Sequence, residues 1–192
     1  MAADSRRIRE MRARLSKTVV LVGMMGAGKT AVGRALASLL SVPFRDSDVA
    51  IEEAANMKIA EIFSRDGEAF FRRKESQVIE RLLEGNPGIL STGGGAYMSA
   101  ENRKMITDKG VAVWLDADLP LLWSRVRHKD TRPLLRTPDP LATLREIYDT
   151  RVPVYAQAEI AVTAQPHITV EEMARKVRDA LLSRPDVLEM EP

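Results

Sequence analysis

The chain of 192 residues contains no cysteine. That absence excludes disulfides, thiolate zinc sites and cysteine nucleophiles. The only histidines, His128 and His167, are too far apart in sequence to show metal-ligand spacing. No stretch approaches the ~20 apolar residues of a membrane span, and no apolar run near the N-terminus resembles a secretory signal. We therefore expect a cytoplasmic protein that has no membrane partner.

The composition is that of an ordinary globular protein, with 45% hydrophobic and 29% charged residues. The net charge of +2 is uneven, because residues 1–17 hold six basic and two acidic side chains. Such an arm could contact nucleic acid, but no aromatic residue accompanies its arginines to stack on bases. We favour a solvated helical extension and expect no nucleic-acid partner. The expected organisation is a basic extension (1–17), one domain (18–182) and a frayed tail (183–192).

Short apolar runs alternate with segments of helical periodicity along the chain. Strands are predicted at 18–22, 42–47, 88–90, 111–115 and 160–163. Helices are predicted at 29–40, 49–63, 68–83, 99–109, 119–127 and 170–182, with another beginning at 141. Gly67 interrupts the helical pattern, and residues 128–140 contain three prolines and read as a loop. This alternation predicts an α/β fold with a parallel sheet between layers of helices.

The segment GMMGAGKT, Gly23 to Thr30, has the spacing of a phosphate-binding loop, G-x-x-x-x-G-K-T. Glycines allow successive backbone N–H groups to point inward around an anion, and a following helix adds its positive end. In this motif the lysine reaches the β- and γ-phosphates and the threonine hydroxyl binds Mg²⁺. The motif lies between a predicted strand and a predicted helix, which favours a nucleotide site over an ordinary glycine-rich turn.

Two aspartates follow the second predicted strand, in FRDSD. Asp46 and Asp48 lie on either side of one serine and are expected to point in different directions. One carboxylate suits a metal-bound water, and the other suits the proton of an attacking hydroxyl. The alternative is a pair of helix-capping aspartates.

Four further segments carry arginines or glycines suited to ligand binding. In GEAFFRRKE, Glu68 and Glu75 have helical spacings that let them flank Arg72. Surface ion pairs of this kind are worth only ~0.3–0.5 kcal/mol, but they could aim the guanidinium at a carboxylate. STGGGA brings three glycines after a strand, either for close approach to a ligand or as a flexible loop. Arg132, in the proline-containing loop, suits a lid that neutralises phosphate charge. Arg151 lies near the end of a predicted helix, and the alternative to a functional role is an ordinary surface charge.

Together, GMMGAGKT, DSD, FRRKE after GE, GGG, RPLL and RVPVY resemble the shikimate kinase family, in the same order and at similar spacings from Val20 to about Leu182. The resemblance implies the fold of the nucleoside monophosphate kinases, with a five-stranded parallel sheet between helices. It implies an ATP-dependent kinase that phosphorylates the 3-hydroxyl of shikimate on the route to chorismate and the aromatic amino acids. Its partners would be shikimate and ATP, with Mg²⁺ as cofactor, and the protein is expected to be a monomer.

The resemblance also assigns residues to roles. Catalysis is assigned to Lys29, Asp48 and Arg132, and the metal to Thr30 and, through water, Asp46. The ATP site comprises Gly26, Ala27, Gly28, Lys29, Thr30, Ala31, Arg125, Arg132 and His167. The shikimate site comprises Asp48, Arg72, Gly94 and Arg151, and the lid spans about residues 126–138. Ala31 stands where the family often has a second hydroxyl residue, and the loop at 165–167 aligns poorly.

Several other functions share a phosphate loop. A gluconate kinase also needs a carboxylate site, although GGG and RPLL favour shikimate. A nucleoside monophosphate kinase has a phosphate acceptor and needs no base such as Asp48. A GTPase needs an Asn-Lys-x-Asp segment, which the chain lacks. A nucleic-acid-dependent ATPase would need the basic arm for its function.

Overall fold

A five-stranded parallel sheet forms the centre of the computed structural model, which describes residues 12–129 and 133–191. Its strands are β2 (Thr18–Val22), β3 (Phe44–Asp46), β4 (Ile89–Ser91), β5 (Gly110–Asp116) and β6 (Ile160–Thr163). They lie in the order β3-β4-β2-β5-β6, and every pairing is parallel. The predicted fold class and all five predicted strands are confirmed.

Helices cover both faces of this sheet. They are α1 (Lys29–Leu40), α2 (Ser47–Ala55), α3 (Ile59–Leu83), α4 (Ala100–Lys109), α5 (Leu119–Val126), α6 (Pro140–Tyr155) and α7 (Val170–Leu181), with 3₁₀ turns at Ala96–Met98 and Pro133–Leu135. Strand β2 is buried along its whole length, as expected for a central strand with helices on both faces. Within the described ranges, no helix has the length and hydropathy needed to cross a bilayer.

The prediction of one helix over 49–63 is wrong, because two helices occupy this region. The backbone N–H groups of Asp48 and Val49 donate to Asp46 Oδ1, so α2 begins directly after β3. It ends where Asn56 adopts a left-handed conformation with φ 47°. Asparagine tolerates this conformation better than most residues, which makes it a helix terminator that helical periodicity alone does not reveal.

The break predicted at Gly67 is confirmed. Gly67 has φ 83° and ψ 169°, which are not helical values, within the span of α3. A residue with a side chain rarely adopts this positive φ, so glycine suits the kink. The kink separates the short first part of α3 from the long second part that carries Arg72 and Glu75.

The two ends of the described chain meet in a second, two-stranded sheet. Strand β1 (Arg12–Leu15) pairs antiparallel with β7 (Leu188–Glu191), and Arg14 lies opposite Glu189. Val187 and Leu188 are buried in the main core. The prediction of a frayed tail is therefore wrong, and the arm is a strand rather than a helix over Arg12–Leu15. Its first 11 residues lie outside the described part.

The fold brings the motifs to one edge of the sheet. In a parallel sheet all strands end at the same edge, where ligands bind. The segment 23–28 follows β2, Asp46 ends β3, and the glycines 93–95 come shortly after β4. β2, β4 and β3 are adjacent in the sheet, so these three segments are neighbours.

Candidate active site

The phosphate loop joins β2 to α1 in the expected conformation. Gly23, Gly26 and Gly28 all have positive φ (142°, 81° and 93°), and Gly28 is the N-cap residue of α1. A Cβ on Gly23 would lie 2.9 Å from the carbonyl oxygen of Leu115, so both its conformation and its space require glycine. Lys29 Nζ donates to the carbonyl oxygens of Gly23 (2.8 Å) and Met24 (3.0 Å). The lysine is therefore folded over its own loop.

Arg125 supports the phosphate loop from α5. Its Nη1 donates to the carbonyl oxygen of Gly26 at 3.1 Å and of Ala27 at 3.5 Å. These carbonyls accept hydrogen bonds from the guanidinium, and the Ala27 N–H donates to the Met24 carbonyl oxygen within the loop at 3.1 Å. Arg125 also lines the cavity at the phosphate loop, beside Gly26 and Lys29, as its assignment to the ATP site requires.

Three side-chain oxygens meet at the start of α1. Thr30 Oγ1 donates to Asp46 Oδ2 at 3.0 Å and lies 3.4 Å from Ser91 Oγ. Asp46 thus uses one oxygen to cap α2 and the other to contact Thr30, so the capping interpretation is confirmed for Asp46. Mg²⁺ prefers hard oxygen donors of this kind. In sites that bind substrate phosphates, it commonly has only one or two protein ligands. No group of three acidic or histidine ligands occurs in the described chain.

The carboxylate of Asp48 lies against the glycine loop. A Cβ on Gly93 would lie 2.9 Å from Asp48 Oδ1, so only glycine leaves room for the carboxylate. Burial raises the pKa of Asp48 above its ordinary value, and the Asp46 carboxylate adds to that rise, while Lys29 and Arg72 oppose it. A carboxylate with a raised pKa accepts a proton more readily than an exposed one.

Arg72 is held against the glycine loop by acidic neighbours. Its Nη1 donates to Glu75 Oε2 at 2.8 Å, and its Nη2 lies 3.4 Å from Glu68 Oε1. The side chain of Glu75 is only 1% exposed, so this ion pair is not the surface pair that the sequence predicted. Burial raises the pKa of Glu75, and the hydrogen bond from Arg72 opposes the rise. Breaking such a pair leaves a buried charge unpaired, which is costly.

Arg151 approaches the same loop from α6. Its Nη1 lies 3.1 Å from the position of a Cβ on Gly94. Arg72 and Arg151 therefore reach adjacent glycines, Gly95 and Gly94, from two different helices. Two guanidinium groups beside one loop make a site for a carboxylate, since each can donate two parallel hydrogen bonds.

Two cavities adjoin the glycine loop. One, of about 480 Å³, runs from the phosphate loop past Asp46, Asp48 and Ser91 to the start of α7. The other, of about 700 Å³, is lined by Arg72, Glu75, Gly95 and Arg151 among others. Both are of the size of small-molecule sites. The first cavity is thus lined by the phosphate loop, and the second is lined by Arg72 and Arg151.

The structure brings together most of the predicted site residues. Gly26 to Ala31, Asp46, Asp48, Gly94 and Arg125 line the first cavity. His167 does not line this cavity, but the residues that follow it, Ile168, Thr169 and Val170, do. Arg132 lies outside the described residues, together with part of the predicted lid.

Sequence reasoning missed Ser91, Glu75 as a buried group, and Tyr155. Ser91 comes two positions before the first glycine, Gly93, and lies opposite Asp46 in the sheet, a register that the sequence does not give. Glu75 was noticed for its spacing alone, because nothing local marks it as buried. Tyr155 belongs to the RVPVY motif, and its contact to Gly94 joins residues 61 positions apart.

The parallel sheet with a phosphate loop, two carboxylates and a glycine loop defines the class of phosphate-loop kinases. A family model described as shikimate kinase matches residues 25–182. Two relatives named shikimate kinase are those of Cereibacter sphaeroides (66% identical, covering 94% of this chain and 90% of that one) and Ruegeria pomeroyi (64%, covering 93% and 91%). The chain belongs to the shikimate kinase family.

A solved structure supports the same assignment. The shikimate kinase of Acinetobacter baumannii, in complex with shikimate, is 36% identical with a TM-score of 0.83. The match covers 87% of this chain and 93% of that one. As a member of this family, the chain is an ATP-dependent kinase, and the family resemblance carried by the sequence motifs is confirmed.

Proposed function

We propose that the protein transfers the γ-phosphate of ATP to the 3-hydroxyl of shikimate, giving shikimate 3-phosphate and ADP. The observation that carries this proposal is the position of Asp48. It lies beside the phosphate loop and also against Gly93, the first glycine of the loop that Arg72 and Arg151 approach. A base between a phosphate site and a carboxylate site suits a hydroxy acid as the acceptor.

The phosphate loop and α1 bind the ATP phosphates in this proposal. The N–H groups of Gly26 to Ala31 surround the β-phosphate, and the positive end of α1 favours its charge. Lys29 exchanges its loop carbonyls for phosphate oxygens when ATP arrives. Arg125 packs along the adenine side, and His167 stays a proposed contact, although Ile168 and Thr169 lie nearer the cavity.

Mg²⁺ would be held by the Thr30 hydroxyl and by a water on Asp46, with phosphate oxygens completing the shell. The hydrogen bond between these two residues and their position beside the phosphate loop support this role. The ion would neutralise charge on the β- and γ-phosphates. The hydroxyl of Ser91, 3.4 Å from that of Thr30, suits the orientation of a bound water.

Asp48 orients the attacking hydroxyl and accepts its proton. The shikimate oxygen then forms a bond to phosphorus, the bond to the β-γ bridging oxygen breaks, and the proton moves to Asp48. Kinases gain most of their rate from such positioning and from charge neutralisation. Lys29 and, from a lid at about 126–138, Arg132 are the cations proposed to neutralise the transferring group.

Arg72 and Arg151 bind the shikimate carboxylate, and the Gly94 backbone contacts the substrate. The ion pair with the buried Glu75 fixes the direction of Arg72, so little freedom is lost on binding. The remaining expectations stay proposals: a catalytic domain over 18–182, a monomer in solution and a cytoplasmic location. Sedimentation equilibrium at assay concentrations tests the monomer.

Identification of the product tests the proposal. Incubation with shikimate and MgATP should give one new phosphate ester, placed at the 3-hydroxyl by its phosphorus–proton coupling in NMR. Phosphate at another hydroxyl would contradict the assigned orientation. Gluconate is the second candidate acceptor because it too is a carboxylate with hydroxyls, and an ester formed with gluconate alone would replace shikimate.

A further inference from the structure

Tyr155 lies in the last turn of α6, and its side chain is fully buried. It comes one helical turn after Arg151, so both side chains project from the same face of the helix. A buried tyrosine usually needs a partner for its hydroxyl, because an unpaired polar group costs free energy. The partners of this hydroxyl lie in the acceptor site.

The hydroxyl of Tyr155 donates a hydrogen bond to the carbonyl oxygen of Gly94. The glycines at 93–95 have no side chains to restrict their conformation. Turn hydrogen bonds engage the carbonyl oxygens of Gly93 (from the Ala96 N–H) and Gly95 (from the Met98 N–H), whereas the Gly94 carbonyl oxygen is held by the distant Tyr155. Since the peptide group is planar, fixing the Gly94 carbonyl also fixes the direction of the Gly95 N–H. One hydroxyl thus sets the orientation of a peptide group that faces Arg72 and Arg151.

The same hydroxyl lies beside the guanidinium of Arg151. Burial raises the pKa of Tyr155, and the positive charge of Arg151 is the main effect that opposes the rise. Arg151 itself lies over Gly94, with Nη1 3.1 Å from the position of a Cβ there. Tyr155, Arg151 and Gly94 therefore form one connected group.

The ring of Tyr155 is held by a rigid element. It stacks on Trp114 of β5, with the ring centroids 6.4 Å apart and the planes at 27°. The Trp114 ring also lies 3.4 Å from the position of a Cβ on Gly23, at the start of the phosphate loop. Trp114 of the central sheet thus fixes the position of the Tyr155 ring, and the Tyr155 hydroxyl in turn holds the glycine loop through Gly94.

We propose that Tyr155 is a positioning residue for the acceptor acid, whose hydroxyl holds Gly94 and Arg151 in the arrangement that binds the carboxylate. The inference rests on the proposed function and deepens it, since it adds a determinant of acceptor affinity that touches no substrate. It also separates the two substrates, because the hydroxyl contacts Gly94 and Arg151 of the acceptor site, and neither Tyr155 nor Arg151 lines the cavity at the phosphate loop.

The test is Tyr155→Phe, which keeps the ring and removes the hydroxyl. The KM for shikimate, and its Kd by calorimetry, should rise about five- to tenfold, the size expected for one hydrogen bond. The KM for ATP and kcat should stay within about twofold. Tyr148→Phe, the same change two turns earlier on α6 at a half-buried site, is the matched control and should leave all three values unchanged.

Several results would overturn the proposal. These are a shikimate KM within twofold of wild type, an equal rise in both KM values, or loss of the folded state, which would assign the hydroxyl to core stability instead. A wild-type enzyme that does not phosphorylate shikimate in the same assay would refute the proposed function itself, before any variant is compared.

A double-mutant cycle with Arg151→Lys gives an independent readout. If Tyr155 acts through Arg151 and Gly94, adding Tyr155→Phe to Arg151→Lys should raise the shikimate KM by less than twofold, because the arrangement is already lost. Multiplicative effects of the two changes would show that the residues act separately and would overturn the proposal.

Discussion

The guanidinium of Arg72 lies directly against the backbone of Gly95. A Cβ on Gly95 would come within 2.5 Å of Nη2 and 2.6 Å of Nη1, closer than real atoms approach. The position of the Arg72 guanidinium therefore depends on the absence of a side chain at Gly95. The buried Glu75 holds the guanidinium in place from the other side, at 2.8 Å.

Gly95→Ala should displace Arg72 and weaken the binding of shikimate. We expect the shikimate KM to rise about 10- to 100-fold, the effect of losing a charge-assisted hydrogen bond, with the ATP KM nearly unchanged. Gly85→Ala is the control, because a Cβ there meets nothing closer than 3.4 Å. Steady-state kinetics with each substrate varied measures both values. Equal effects on the two substrates would show a general distortion instead.

Asp48→Asn should abolish phosphoryl transfer while ATP binding persists. The amide keeps the size of the carboxylate but does not accept the proton, and loss of a general base costs about 10²–10⁴-fold in kcat. Calorimetry with a non-hydrolysable ATP analogue measures binding, and ADP release measures turnover. Asp108→Asn, on the exposed side of α4, serves as the control. Parallel loss of binding and turnover would place Asp48 on the nucleotide side.

The raised pKa of Asp48 has two consequences for pH dependence. First, kcat/KM should fall on acidification with a midpoint above the ordinary aspartate value of about 3.9, because the base must be ionised. Second, a group whose pKa is raised by folding destabilises the folded state at pH values where it is ionised. Asp48→Asn should therefore melt at or above the wild-type temperature at pH 7. That difference should shrink as the pH falls below the raised pKa and vanish near the unfolded-state value of about 3.9, and calorimetric melting from pH 7 to 4 checks it.

Thr30→Val should raise the Mg²⁺ concentration that half-saturates the enzyme by about tenfold or more, because a hydroxyl ligand is lost. Binding of shikimate in the absence of nucleotide should not change. Thr30→Ser keeps the hydroxyl and should restore the wild-type requirement. An unchanged Mg²⁺ requirement in the valine variant would remove Thr30 from the metal site.

Leu188→Ala should destabilise the fold and leave the shikimate and ATP KM values alone. Leu188 is 1% exposed in β7, and such truncations cost about 2–5 kcal/mol, which lowers the melting temperature by roughly 5–15 °C in a protein of this size. Leu182→Ala, at a 39% exposed position, is the control.

Deletion of residues 1–11 leaves β1 in place, so it tests the part of the basic arm before this strand, and turnover should persist. Loss of turnover would favour the nucleic-acid interpretation.

The sequence predicted most of the fold because its signals are local. The buried run Thr18–Val22 and the glycines at 23–28 specify a strand and a phosphate loop without reference to distant residues. The pairing of β1 with β7 joins the two ends of the chain and has no local signal beyond short apolar runs. Asn56 ended a helix through a left-handed conformation that helical periodicity does not report.

The site was predicted less completely than the fold. Motifs identified Asp46, Asp48, Arg72 and Arg151, since charged residues at strand ends and in glycine-rich segments stand out. Burial, however, depends on packing between elements, so Glu75 looked like a surface charge until α3 and the glycine loop were placed together. Ser91 likewise became a neighbour of Thr30 only through the sheet order β3-β4-β2.

The central claim is that shikimate accepts the phosphate of ATP at this site. The most direct test compares ADP release from MgATP with shikimate, with gluconate and with no acceptor. The account predicts strong stimulation by shikimate alone, reduced by Arg72→Ala mainly through the shikimate KM. Stimulation by gluconate alone, or by neither acid, would contradict the assignment of Asp48, Arg72 and Arg151 to a shikimate site.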